Sequence, residues 1–356
     1  MTSTVLGGAM LPHAPQFFTL PETEPMDVVE AVRKAAADIG EELKALDPDV
    51  WLIFSNDHAE QFFHNVAPPF TIHVGSEAVG EFAGRAFHWR VHGEIAFDLV
   101  RQLYRQDFDP AFTSTAKIDY AMGIPLTHLG VADPILPIYV NAYLPPQPTI
   151  ERCYAFGRAV ARAVTTLGLK TVVVASGGMS HFPGTDRYGS PDLAWDETLL
   201  AALSDGRLKS LIGFDEGELD DTGNIELRCW ACAAGMLGQR KPDIVSFDPS
   251  WHHNYASLGW FSPEGAPIAP HYPSIRGDLV SLTAALHALA HEPDSRQAYL
   301  ADAGSFADRY DLTDDQRRAF VELDVPAMVA MGTHPLVPFL ANMHIQRLKA
   351  RADGTP

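Results

Sequence analysis

The chain has 356 residues, 46% of them hydrophobic and 20% charged, a composition able to bury a sizeable core in one large domain or a domain with an appendage. Its 26 Lys and Arg against 45 Asp and Glu leave a formal charge of −19 and a pI near 5.1, which argues against binding to phosphate backbones or anionic lipid surfaces. Three cysteines are too few for a disulfide framework, and "MTSTVLGGAM" lacks the positive stretch of a secretory signal, so a cytoplasmic protein is the expectation.

In chain order, the first apolar run is "TVLGGAM" (4–10), a strand, followed at once by His13 in "LPHAP". A helix is predicted over 24–46, with Pro25 near its start and apolar residues at 28, 29, 32, 39 and 43. The run "DVWLIFS" (49–55) reads as a buried strand and ends on Asn56-Asp57-His58. A helix at 93–106, a strand "PILPIYV" (134–140), a helix at 151–168 and a strand "TVVVAS" (171–176) follow, the last leading to His181 in "GGMSHFPG". Within the apolar helical run that holds Cys229 and Cys232, C-x-x-C reads as buried thiols, not a redox or zinc site. "DIVSFD" (243–248) is the last predicted strand. Alternating strands and helices predict an α/β domain whose central sheet is covered by helices on both faces. The proline-dense segment 262–274 then reads as a linker between a catalytic domain at 1–265 and a small all-α domain at 275–356. Its segment 325–343 is the most membrane-like, but three prolines and a histidine make a span improbable.

Of the 15 histidines, His13, His58 and His181 stand out because each follows the carboxyl end of an apolar strand, where open α/β sheets bind ligands. Two imidazoles with one carboxylate would form a site with open positions, suited to ferrous iron, and zinc stays open from ligand types alone. Glu226 in "GNIELRCWACAAG" is the foremost carboxylate, since a charge at the start of an apolar helix needs a positive partner. An interaction with the helix dipole is the competing reading.

The motifs "PHAP", "NDHAEQF", "GGMSH" and "GNIEL", in this order, resemble the class III extradiol ring-cleaving dioxygenases of the protocatechuate 4,5-dioxygenase type, over about residues 5 to 265. The helical tail resembles that enzyme's small subunit, fused to the large one as in gallate dioxygenase-like members. The resemblance implies His13, His58 and Glu226 as Fe(II) ligands and His181 as the acid/base. It also implies dioxygen-dependent ring opening of a catechol-type aromatic, protocatechuate- or gallate-like, or an aminophenol or hydroxypyridine analogue. The expected partners are that small aromatic and dioxygen, with no nucleic acid or membrane, and the expected assembly is a homodimer. One departure is Tyr120 in "IDYAMGIPL", where the family has a second catalytic histidine. Tyr120 is read as a hydrogen-bond donor, a pocket-shaping residue for an unusual substrate, or a mark of altered activity. A homologue that binds metal without cleaving rings, and a zinc hydrolase, are the alternative functions. His252, His253, Asn254 and Ser257 are weaker candidates for holding the ring substituent, and a residue near His334 could close the pocket.

Overall fold

A computed structural model of the chain describes residues 4–132, 134–262 and 272–352. The described residues form two compact units, divided between residues 268 and 269. Most of the proline-dense segment read as a linker, residues 263–271, lies outside the described residues.

The first unit contains strands β1 (Val5–Leu11), β2 (Val50–Ser55), β3 (Phe70–His73), β4 (Glu77–Phe82), β5 (Arg85–Arg90), β6 (Ala111–Thr113), β7 (Ile135–Val140), β8 (Thr171–Ser176), β9 (Ile244–Pro249) and β10 (Asn254–Trp260). Its helices are α1 (Gln16–Thr19), α2 (Met26–Ala45), α3 (Gly93–Tyr104), α4 (Tyr120–His128), α5 (Ile150–Thr166), α6 (Leu193–Ser204), α7 (Glu216–Asp221) and α8 (Leu227–Leu237). Eight strands make one mixed sheet in the order β6-β3-β7-β2-β8-β1-β10-β9, and β4 and β5 pair as a separate hairpin. At its centre β7, β2, β8 and β1 run parallel, while β3 and β10 flank them antiparallel.

The central strands are apolar throughout because both of their faces are covered. Val50, Leu52 and Phe54 of β2 and Val173 and Ala175 of β8 face a core shared with α3, α5, α6 and α8. Their alternate neighbours Trp51, Ile53, Val172 and Val174 face a second core shared with α2 and α4. The expected α/β architecture is therefore present. Helix α8 lies close against α5 through glycines: a Cβ on Gly157 would sit 1.8 Å from the Cys232 carbonyl oxygen, and one on Gly235 would sit 2.2 Å from that of Tyr154. That approach sets where the start of α8 falls. Cys153, Cys229 and Cys232 are buried free thiols in this packing.

Sequence reading missed β3 to β6 and β10. β3 and β6 are four and three residues long, too short for a periodic signal. β10 is buried along its whole length although Asn254 and Ser257 interrupt its apolar run.

The second unit is helical: α9 (Val280–His291), α10 (Pro293–Ala301), α11 (Ala303–Ala307), α12 (Asp314–Glu322), α13 (Val325–Ala330) and α14 (Leu336–Ala352). It has its own core, with Leu282, Leu286, Leu289, Phe306, Phe320 and Ile345 all buried. Thr313 and Gln316 form a reciprocal capping box at the start of α12. Among the described residues no helix is long and apolar enough to cross a membrane.

Candidate metal centre and its cavity

β2, β8 and β1 are parallel neighbours, so their carboxyl ends lie side by side. The chain leaves β1 toward His13, β2 toward His58 and β8 toward His181. Glu226 arrives separately, as the residue just ahead of α8, with no capping bond from its side chain. These four side chains meet. His13, His58 and Glu226 each offer one ligand atom, and those atoms all lie within 4.8 Å of one another, so the trio could hold a metal ion. Around Glu226 Oε1 stand His13 Nε2 at 3.1 Å, His58 Nε2 at 3.7 Å and His181 Nε2 at 3.9 Å.

The outer nitrogen of each ring is already committed. Ser176 Oγ donates its one proton to the Ala121 carbonyl, so it accepts from His13 Nδ1, 2.8 Å away. His58 Nδ1 donates to Asp119 Oδ2 at 2.8 Å, and the same oxygen takes the His58 backbone N–H at 3.2 Å. His181 Nδ1 donates to the Met179 carbonyl at 2.8 Å. In the neutral rings every Nε2 is therefore a lone pair aimed at the cluster. Glu226 is oriented in the same way: the Gly178 N–H donates to Oε2 at 2.6 Å and Asn56 Nδ2 donates to Oε1 at 3.2 Å.

Electrostatics follow from burial and these pairings. Burial alone would raise the Glu226 carboxyl, but the facing His13 and His181 rings and the hydrogen bonds from His13 and His58 outweigh it and hold Glu226 well below the usual carboxylate range. Burial disfavours a charged His58, yet its hydrogen bonds to Asp119 and Glu226 prevail and push it up to about 9. For His181 burial wins over the attraction of Glu226, and its pKa is lowered. Burial, reinforced by the Glu226 and Asp119 carboxylates, raises the Tyr120 phenol far above its ordinary value, so it stays protonated.

The cluster opens into a cavity with about 420 Å³ of empty space, its mouth included. Tyr120 stacks on His58 with ring centres 4.3 Å apart, and Tyr143 lies 5.0 Å from the same ring. His253 stacks almost parallel on His181 at 4.0 Å. His252 and Tyr188 also line it. Of the weaker candidates, His252 and His253 line this cavity. Asn254 does not: it donates to Asp196 at 2.7 Å, and Asp196 in turn receives the Ser180 N–H at 2.9 Å, which braces the loop carrying His181. Ser257 is buried in β10. His334 belongs to the second unit, where it stacks on Tyr272.

Asp119, Ser176 and Glu24 escaped the sequence reading as partners of histidines, because a short polar residue next to a strand or helix end reads first as a cap. Asp119 is indeed the cap of α4, accepting from Ala121 N at 2.9 Å. Only the fold reveals that its other oxygen serves His58.

Residues 7–257 match the family described as the catalytic LigB subunit of aromatic ring-opening dioxygenase. Residues 282–346 match the LigA subunit of the aromatic-ring-opening dioxygenase LigAB. A 2,3-dihydroxyphenylpropionate/2,3-dihydroxicinnamic acid 1,2-dioxygenase of Cupriavidus necator is 27% identical over 302 residues, covering 70% of this chain and 96% of the relative. A protein of the same description from Mycobacterium ulcerans (strain Agy99) is 34% identical over 170 residues, covering 47% of this chain and 54% of the relative. With a converging His-His-Glu cluster, a neighbouring histidine and both subunit types in one polypeptide, the chain belongs to the class III extradiol dioxygenases, as an aromatic ring-opening dioxygenase with LigB and LigA regions fused.

Proposed function

We propose that this dioxygenase uses Fe(II), held by His13, His58 and Glu226, to open the ring of a catechol-type aromatic, with His181 as acid/base and Tyr120 as hydrogen-bond donor. One observation carries the reading: two imidazole Nε2 atoms and a carboxylate oxygen converge within 4.8 Å, with their outer atoms already bonded. Two neutral imidazoles and one carboxylate suit ferrous iron and leave positions open for a diol and dioxygen. Iron bound there would supply electron transfer between the two substrates.

The remaining work falls to the protein's own groups. His181 Nε2 takes a proton from a catechol hydroxyl and later returns it to the opened product; its lowered pKa keeps that lone pair free near neutral pH. Met179 fixes the ring's tautomer through Nδ1. Tyr120, held protonated by burial and the nearby carboxylates, donates to a substrate oxygen and cannot serve as the base. Tyr143 and Tyr188 give the cavity further aromatic walls that suit a single planar ring. The relatives named for a dihydroxyphenyl acid support a vicinal diol as the reacting group.

Iron content after anaerobic purification, with oxygen uptake measured against catechols, aminophenols and hydroxypyridines, tests the reading. Ferrous iron and a yellow ring-opened product are expected. Bound iron with no oxygen uptake on any of these compounds refutes ring cleavage. His181→Ala is expected to keep its iron and lose about 10²- to 10⁴-fold in turnover; loss of iron there would mean that ligand and base are exchanged.

A further inference from the structure

Asp196, in the first turn of α6, is fully buried, and three N–H donors converge on its carboxylate. The Ser180 backbone N–H and Asn254 Nδ2 donate to Oδ2 at 2.9 and 2.7 Å, and Asn224 Nδ2 donates to Oδ1 at 3.0 Å. Ser180, Asn224 and Asn254 are buried as well, and among the described residues Asp196 has no ion pair. A carboxylate buried among amides alone costs free energy that an uncharged side chain would not, so stability does not account for its presence. Burial outweighs the three bonds and raises its pKa to about 6. All three neighbours are donors, however, and the ionised form is the one they fit.

The donors matter for where they stand. Ser180 immediately precedes His181, and Asn224 lies two residues ahead of Glu226. Ser180 is tied at every polar group: its carbonyl accepts from the Asn254 N–H at 3.2 Å, and its hydroxyl donates to the Thr222 carbonyl and accepts from the Asp192 N–H at 2.7 Å. The His181 N–H donates to the Gly223 carbonyl at 3.2 Å. Because His181 arrives after β8 and Glu226 after α7, the 3.9 Å between His181 Nε2 and Glu226 Oε1 depends on how two separate segments are joined. Backbone contacts bring those segments together; the Asp196 carboxylate fixes their separation, with one oxygen on each. We propose that Asp196 is a positioning residue for ring opening, coupling the segment of His181 to that of Glu226 and so setting the acid/base against the metal cluster. The proposal rests on the ring-cleavage reading only for the role of His181.

Asp196→Asn cuts that link and little else. The amide oxygen takes the place of Oδ2, where two donors meet, so its N–H₂ faces Asn224 Nδ2, donor against donor. Asn224 can turn its oxygen toward that amide only by giving up its bonds to Thr222, at 3.2 and 3.3 Å. Glu226 keeps its own bonds from Gly178 and Asn56, so iron content is expected to stay at the wild-type level. KM is expected within about threefold of wild type, while kcat falls about 10- to 100-fold as His181 leaves its working distance. Asn224→Ala removes the same link from the other side; it should match that loss, and the double variant should lose no more than either single one. A second readout needs no oxygen. The absorption of 4-nitrocatechol moves to longer wavelength with each proton lost. Under argon, on the ferrous-loaded full chain, the bound compound is expected to be more ionised in wild type than in His181→Ala, with Asp196→Asn close to His181→Ala. Wild-type kcat and spectrum in Asp196→Asn, additive losses in the double variant, loss of iron, or no spectral difference between wild type and His181→Ala overturns the proposal. A wild type that shows the spectral difference yet consumes no oxygen defeats the ring-cleavage reading and leaves this one standing.

Discussion

Asp119→Asn probes the cluster through a residue that never touches the metal ligand atoms. In the wild type Asp119 accepts on both oxygens, from Ala121 N–H on one and from His58 N–H and Nδ1–H on the other. An asparagine has one acceptor and remains a good helix cap. Once its oxygen takes Ala121, its N–H₂ faces His58 Nδ1 and favours the tautomer with the proton on Nε2, the atom that has to bind metal. Loss of such an orienting partner costs about 10- to 100-fold in metal affinity. A second effect opposes it. The metal-free His58 titrates at about 9, so at pH 7 the metal must displace a proton, which weakens apparent affinity roughly 100-fold. That competition shrinks when the Asp119 carboxylate is gone. Wild-type affinity should climb about tenfold per pH unit from pH 7 and flatten near 9. The variant should flatten earlier and lower, so the two nearly coincide at pH 7 and part by about 10- to 100-fold at pH 9. Chelator competition with Fe(II) under argon, or with Co(II) as an air-stable probe, across that range measures both curves. A wild-type affinity independent of pH, or two parallel curves, would refute the role given to the Asp119–His58 bond.

Tyr120→Phe keeps the ring stacked on His58 and removes only the hydroxyl, so metal affinity should hold while turnover falls about 10- to 100-fold; undiminished turnover excludes a catalytic hydroxyl. Gly157→Ala drives a methyl group into the Cys232 carbonyl, and a loss of at least about 3 kcal/mol in denaturant unfolding is expected, with weaker metal retention as α8 and Glu226 shift. A loss below about 0.5 kcal/mol would contradict the helix approach described above. His128 is lowered to about 4 by burial and by the nearby Arg33 and Arg85. The unfolded chain therefore binds its proton first as pH falls, and stability drops between pH 6.5 and 4, by up to about 3 kcal/mol from this one group. His128→Gln should flatten that part of the stability curve relative to wild type; an unchanged slope would mean the ring is not held neutral.

How much of this was legible beforehand differs between elements for physical reasons. β1, β2, β7 and β8 are covered on both faces, so they appear as unbroken apolar runs. The histidines that follow three of them sit where an α/β sheet gathers its ligands. β10 sits as deep, yet its Asn254 is matched by a long-range partner, Asp196, across 58 residues of chain; periodicity cannot see such a partner. The second halves of the histidine pairs were hidden for the same reason. Asp119 lies 61 residues from His58, Ser176 lies 163 from His13 and Glu24 lies 228 from His252, and no local pattern joins them. Tyr120 was visible as a departure, but that its ring lies flat on His58 was not.

These partners share one logic. An imidazole has two nitrogens, and a site needs to know which is bare. At His13, His58 and His181 an oxygen on the Nδ1 side fixes Nε2 as the lone pair toward Glu226. His252, in the wall of the same cavity, has its Nε2 2.8 Å from Glu24 Oε2. The oxygens that orient the three rings of the cluster come from separate segments of the chain, so the rings are positioned before any ligand arrives. Rigid placement lowers the ordering cost of binding, but it also concentrates lone pairs and a buried carboxylate in one small volume. Without a cation that arrangement favours uptake of a proton, which His58 reports by rising to about 9. The geometry that disfavours the empty cluster is the same geometry that makes a divalent metal ion its natural occupant.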